Sequence, residues 1–496
     1  MKILRICTTA LLLILTLASC EEGEKRLYSI NIDKQVSCLY TEHSFDVEYT
    51  ISALQPDIAE DSFTISVDTD AEWITGISST EQGVLSISVA ENVGALRSGT
   101  ITITSPNIVT TKVEVTQIAA PQAEVKHTII HYFFGTSLSR YFKTNREDAA
   151  ESIASGILGS DNRYVYLMQS SASEAYIAEM CYDPVNGEVL ERHVADIILD
   201  AGKPLSELIA DNMAMLRMAA PAQSYGLILA GHGQGWVTKD DINSDSPIEF
   251  GVGGNSNPWY PALGAETTRA FGENNVQCDI SELAEGLMPT DGNAYEYLLF
   301  DACFMANVET LYDLRNIAEY IIASPCEIMG RGFPYHRTLP HLVEGQRDLD
   351  AAARSYYTYY RDDYTGNARC GSIALIDCSE LEPLAEATRQ VAATMVEEYD
   401  RSTLQTYEGQ SQHSFYDFGE WATTVATDHM SLKAFDEQLS RTVTAKYTLP
   451  SFYSALGTAG TYPIDESIYS GITTSAPSTL YETSWRNTSW YKRVWM

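Results

Sequence analysis

Two short apolar runs constrain this chain more than anything else in it: residues 225–236, YGLILAGHGQGW, and residues 297–307, YLLFDACFMAN. Each reads as a buried strand that ends on a residue able to do chemistry, His232 in the first and Cys303 in the second. Loops leaving parallel strands at one edge of an α/β sheet are where such sheets place their sites, so an imidazole base and a thiol nucleophile are expected side by side there. Gly233 follows the histidine, and its N–H, together with that of Cys303, is expected to point at a developing oxyanion. A helix predicted over residues 304–315 would favour the thiolate through its dipole. His232 would take the thiol proton and later protonate the leaving amine. No third catalytic member is evident.

The pattern around these runs alternates between strand and helix. Strands are predicted at 128–134, 164–168, 320–324 and 372–376, and helices at 145–158, 204–218 and 348–360. The succession implies a parallel, doubly wound α/β sheet of about six strands with helices on both faces. Residues 30–119 differ in kind. Period-two alternation at 63–67, 85–89, 99–104 (GTITIT) and 112–116 (KVEVT), with turn signals between, predicts a small all-β immunoglobulin-like sandwich. Pro121 marks a boundary, and the aromatic segment 447–496 is expected to be a β-rich flank of the core.

His-Gly after one apolar strand and Asp-Ala-Cys after the next resemble the clostripain-like cysteine peptidases, which have a caspase-like fold; the resemblance runs over residues 126–496. Ser139-Arg140-Tyr141 and Tyr416-Asp417-Phe418 are weaker reminders of that family. It implies a cysteine endopeptidase acting on protein or peptide substrates, with a basic P1 residue held by acidic side chains. Asp301 stands at the position of one such acid; the alternative is a strand-end cap. A second acid is expected in 324–335, SPCEIMGRGFPY, where an ungapped comparison places Arg331. A guanidinium there would repel a basic P1 residue unless it points to solvent, with Glu327 as the substitute acid. The insertion 237–263, carrying Asp240, Asp241 and Asp245, reads as an activation segment with Lys239 as a cut site, as a calcium-binding loop, or as a solvated loop. Calcium is the one cofactor left open, and no zinc-ligand spacing is present.

Residues 71–74 (AEWI), 85–105 and 113–117 (VEVTQ) resemble the BACON domain of Bacteroidetes surface proteins. That likeness implies glycan contact, with Trp73 as platform, against a core role for the same ring and a spacer role for the module. Lys2, Arg5 and the apolar stretch 8–19 read as a signal peptide, too short to span a membrane. Residues 17–20, LASC, resemble a lipobox, so the 1–19 segment is removed, Cys20 is lipidated, and 20–29 is a tether at the outer membrane or cell surface. A net charge of -35 argues against nucleic-acid partners. Removing Cys7 and Cys20 leaves an odd number of scattered cysteines, which does not suggest a disulfide framework. A second functional class remains: a surface-binding lipoprotein with a non-catalytic peptidase scaffold.

Overall fold

The computed structural model describes residues 27–38, 40–55, 63–79, 83–94, 96–117, 123–183, 187–243, 258–269, 278–289 and 292–496. The signal segment 1–19, Cys20, most of the tether, the boundary at 119–122 and Asp245 lie outside them. The chain divides into two compact units, Met1–Glu91 with Ser98–Thr116, and Asn92–Arg97 with Gln117–Met496. Among the described residues no helix is long and apolar enough to cross a membrane.

The first unit holds β1 (Tyr28–Ile32), β2 (Gln35–Cys38), β3 (His43–Ala53), β4 (Ser66–Thr69), β5 (Ile74–Ser78), β6 (Val84–Val89), β7 (Arg97–Thr104) and β8 (Thr111–Gln117). They form two four-stranded sheets, β1-β3-β6-β5 and β2-β8-β7-β4. The period-two pattern explains why: Leu85, Ile87 and Val89 of β6 and Ile101, Ile103, Val113 and Val115 of β7 and β8 are all fully buried in one shared cluster. Trp73 is half-buried against that cluster.

The second unit is built on β9 (Val125–Phe133), β10 (Asn162–Gln169), β11 (Glu174–Asp183), β12 (Glu188–Ile198), β13 (Ala222–Ala230), β14 (Tyr295–Asp301), β15 (Ala318–Ala323), β16 (Ser372–Asp377) and, after the two-residue β17 (Tyr416–Asp417), β18 (Val443–Thr448). The sheet order is β12-β11-β10-β9-β13-β14-β15-β16-β18. Only the middle of it is parallel, from β10 through β9, β13 and β14 to β15. The sheet is therefore mixed, not the purely parallel six-stranded sheet expected. Short connections between β10, β11 and β12 can join only antiparallel neighbours, and β16 and β18 close the other edge antiparallel as well. Sequence reading missed β12 because much of it is exposed and charged, as in ERH at 191–193.

Helices cover the sheet. α1 (Ser139–Ala154) starts earlier than expected and buries Phe142, Asn145 and Ala149 on one face. α2 (Leu205–Ala219) buries Ile209, Met213 and Leu216. The C-terminal flank is not simply β-rich: after β19 (Ser451–Ser454) and a short partner strand, two helices, Glu482–Asn487 and Ser489–Val494, close the chain and bury Trp485 and Trp490.

Candidate active site

β13 and β14 are parallel neighbours, with Ala230 paired opposite Asp301. His232 and Cys303 each lie two residues beyond that last pair, so both leave the sheet at one rim. Gly233 is what lets the two exits approach. A Cβ there would fall 2.0 Å from the Cys303 carbonyl oxygen and 2.8 Å from its nitrogen, contacts no side chain can make. His232 Nε2 lies 2.6 Å from Ser137 Oγ in the loop before α1, an imidazole partner that sequence reading did not foresee.

Cys303 is fully buried, and its sulfur accepts the N–H of Ile328 at 3.0 Å. The next residue, Phe304, has φ 63, a conformation that costs a non-glycine residue about 1–2 kcal/mol. Stacking of its ring on Phe415, centroids 4.6 Å apart, helps to hold it there. The helix expected directly after the cysteine begins later. The helix Val308–Leu314 is capped by Asn307, whose side chain accepts the Thr310 N–H. A helix dipole fades within its first turn, so it does not supply a thiolate at Cys303. Burial instead pushes the Cys303 thiol well above its ordinary value; the nearby Glu327 adds to this, and the Ile328 N–H opposes it. That shift favours the protonated thiol.

What lies over the rim is a piece of the chain itself. Thr268 forms an antiparallel bridge with Met329. Arg269 N–H donates to the Ile328 carbonyl at 2.7 Å, and Gly330 N–H donates to the Thr267 carbonyl at 2.7 Å. Gly233 N–H donates to the Arg269 carbonyl at 3.0 Å. The amide singled out for an oxyanion thus holds a peptide carbonyl.

The Arg269 side chain is fully buried against Asp301. Its Nη1 lies 3.1 Å from Asp301 Oδ2 and donates to the Asp301 carbonyl at 2.9 Å. Nη2 donates to Asn145 Oδ1 at 2.7 Å and Nε to the Gly330 carbonyl at 3.2 Å. Tyr335 Oη and the Phe333 N–H donate to Asp301 Oδ2 at 2.9 and 3.2 Å. Burial pushes the Asp301 carboxyl up, and the Arg269 guanidinium and these donors pull it back. Gly332 (φ +68) forms one wall, where a Cβ would sit 2.3 Å from Arg269 Nη2 and 2.4 Å from Asp301 Oδ1. Asp301 thus ends β14 and also anchors the buried Arg269 guanidinium.

Residues 259–469 match the model of the clostripain family. The chain carries a clostripain-family domain. Solved structures share the fold. A secreted C11 cysteine protease from Bacteroides thetaiotaomicron is 28% identical with a TM-score of 0.64, covering 75% of this chain and 100% of its own. An inactive zymogen C11 protease from Parabacteroides distasonis is 24% identical with a TM-score of 0.61, covering 76% and 99%. A C11 protease from B. thetaiotaomicron in complex with an irreversible peptide inhibitor is 23% identical with a TM-score of 0.61, covering 75% and 99%. No curated protein sequence matches the chain.

The structure also gives positions for the other residues singled out in the sequence. Arg331 does not turn into the pocket: Nη2 is 2.7 Å from Asp148 Oδ2, while its carbonyl accepts from Asn145 Nδ2 at 2.9 Å. What Arg331 presents to the Arg269 guanidinium is its backbone carbonyl, 3.5 Å from Nη2, while its own guanidinium is held by Asp148. Glu327 does not substitute for an acid beside Asp301; it binds Thr268 instead. Lys239 begins α3 (Lys239–Asn243), and its ammonium is held 2.7 Å from Glu282 Oε2. Asn145 was missed in the sequence because a polar residue inside an amphipathic helix carries no local mark of its partner, 124 positions away.

Proposed function

We propose that this clostripain-like cysteine peptidase is an endopeptidase that cuts on the carboxyl side of arginine, and that residues 267–269 lie in its cleft as its own first substrate. The observation that carries the reading is Arg269. Its side chain is buried on Asp301 while its carbonyl is held by the Gly233 N–H. Main-chain bonds on both sides of Met329 lay the segment down as an added strand, a general way of binding extended peptides. Thr267 is exposed while Thr268 and Arg269 are buried, as expected of a chain entering a cleft.

The chemistry follows from these roles. His232 takes the Cys303 proton, and the thiolate attacks the carbonyl carbon of the P1 arginine. Negative charge on the former carbonyl oxygen is met by the Gly233 N–H. As the tetrahedral species collapses, the C–N bond breaks and the leaving nitrogen takes the proton from His232, leaving a thioester on Cys303. Water, deprotonated by His232, then attacks the thioester; the acid product leaves and Cys303 recovers its proton.

Incubation of the full-length chain is expected to yield a fragment whose N-terminal residue is Ala270, read by N-terminal sequencing. A cut after Lys239 in its place would overturn the assignment of Arg269.

The LASC sequence supports attachment through Cys20 at the outer membrane or cell surface. Cys20→Ala is expected to move the protein from the membrane to the soluble fraction on cell fractionation. An unchanged distribution would remove the anchor.

A further inference from the structure

The segment in the cleft meets the protein through a second side chain. Thr268 is 5% exposed, and its hydroxyl donates to Glu327 Oε2 at 2.6 Å. Glu327 follows β15 and is itself 1% exposed. The Ala455 N–H donates to Oε2 at 2.9 Å, and the Ser454 hydroxyl of β19 donates to the other oxygen. A carboxyl group removed from water is costly unless its acceptor positions are filled. Ser454 and Ala455 are fixed parts of the wall. The Thr268 hydroxyl arrives with whatever occupies the cleft.

Backbone register makes this contact general. The Thr268–Met329 bridge, flanked by the bonds of Arg269 to Ile328 and of Gly330 to Thr267, sets the position of the residue before arginine. Any extended peptide that seats arginine on Asp301 in this register delivers its preceding side chain to the same point. Threonine and serine bring a donor there. Valine has the shape of threonine and brings none.

Resting on the reading of residues 267–269 as a substrate-like occupant, we propose that Glu327 is a specificity-determining residue that selects threonine or serine immediately before the P1 arginine. The preferred substrates are then protein segments in which a hydroxyl residue precedes arginine. Valine at that position would leave the buried carboxyl short of a donor, and a site built to bond a hydroxyl rejects an analogue that lacks it.

The test is kcat/KM of the full-length protein on peptide pairs with arginine at P1 that differ only at P2, threonine against valine and serine against alanine. The hydroxyl member of each pair is expected to be cut about 10 to 100 times better. In a folded Glu327→Gln variant the ratio should shrink, because a neutral amide is the weaker acceptor. A Thr268→Val change in the chain itself should slow appearance of the Ala270 fragment by a similar factor. Equal cleavage of threonine and valine peptides by the unaltered protein overturns the proposal and leaves cutting after arginine intact. An unchanged ratio in Glu327→Gln overturns the assignment to Glu327. Absence of any Cys303-dependent cleavage overturns the arginine reading and the proposal with it. If the Gln variant does not fold, the peptide pairs on the unaltered protein still decide.

Discussion

Asp301→Asn is expected to lower kcat/KM on peptides with arginine at P1 by about two to three and a half orders of magnitude. Stripping one partner from a buried ion pair costs about 3–5 kcal/mol, and about 1.4 kcal/mol corresponds to one decade. Both side chains of the pair are fully buried, so solvent screens the loss little. Arginine should also be cut better than lysine by the unaltered protein. Nε, Nη1 and Nη2 of Arg269 donate to separate acceptors, and an ammonium group has no donor at the Nε position to meet the Gly330 carbonyl. The same substitution should destabilise the full-length chain, because it leaves the Arg269 guanidinium buried without its counter-charge. Adding Arg269→Gln to Asp301→Asn should then cost less than the sum of the two single changes, read by thermal or denaturant unfolding. Arginine cleavage at the unaltered rate in folded Asp301→Asn would remove Asp301 from the pocket.

The second large effect is at the nucleophile. Cys303→Ala is expected to abolish peptide cleavage, by on the order of 10⁴ or more, and the Ala270 fragment should never form. Persistence of that fragment in a purified Cys303→Ala preparation would mean that another protease makes the cut, and equal, negligible cleavage by both proteins would favour the non-catalytic surface-binding alternative. The chemistry of the thiol gives a companion measurement. Burial and Glu327 raise its pKa well above the usual value, so the thiolate is scarce at neutral pH and grows as pH rises. Alkylation of Cys303 in the uncut chain should therefore be slow at neutral pH and keep accelerating through and beyond the range where an ordinary thiol levels off. Release of residues 267–269 from the cleft would admit solvent and remove part of the burial. The cut protein should then react faster at the same pH, as followed by mass spectrometry of the Cys303 peptide. A rate that already levels off below the ordinary thiol range in the uncut chain would contradict a buried, protonated thiol.

Much of the site was legible because it is written in short-range pattern. Two apolar runs ending in His-Gly and Asp-Ala-Cys are local signals, and parallel pairing of β13 with β14 converts them into one rim. The alternation that marked the strands of the first unit is likewise local, since period two follows from strand geometry. Errors came where a local signal had two outcomes. The stretch after Cys303 contains helix formers, yet the left-handed turn at Phe304 and the cap at Asn307 delay the helix to Val308. Arg331 stands in the loop that lines the pocket, but Asp148 on α1 draws its side chain away.

The sequence by itself marked the residues proposed here as nucleophile, base, oxyanion donor and P1 acid, because residue type and strand termination are properties of neighbours along the chain. Only the tertiary structure decided that Arg269 rather than Lys239 is the basic residue seated on Asp301, that Asn145 shares the pocket, and that burial raises the thiol's pKa. Each of these depends on which groups are packed together away from water. Burial of charge makes the choice of partner energetically decisive, and the partners are supplied by helices and loops remote in the chain.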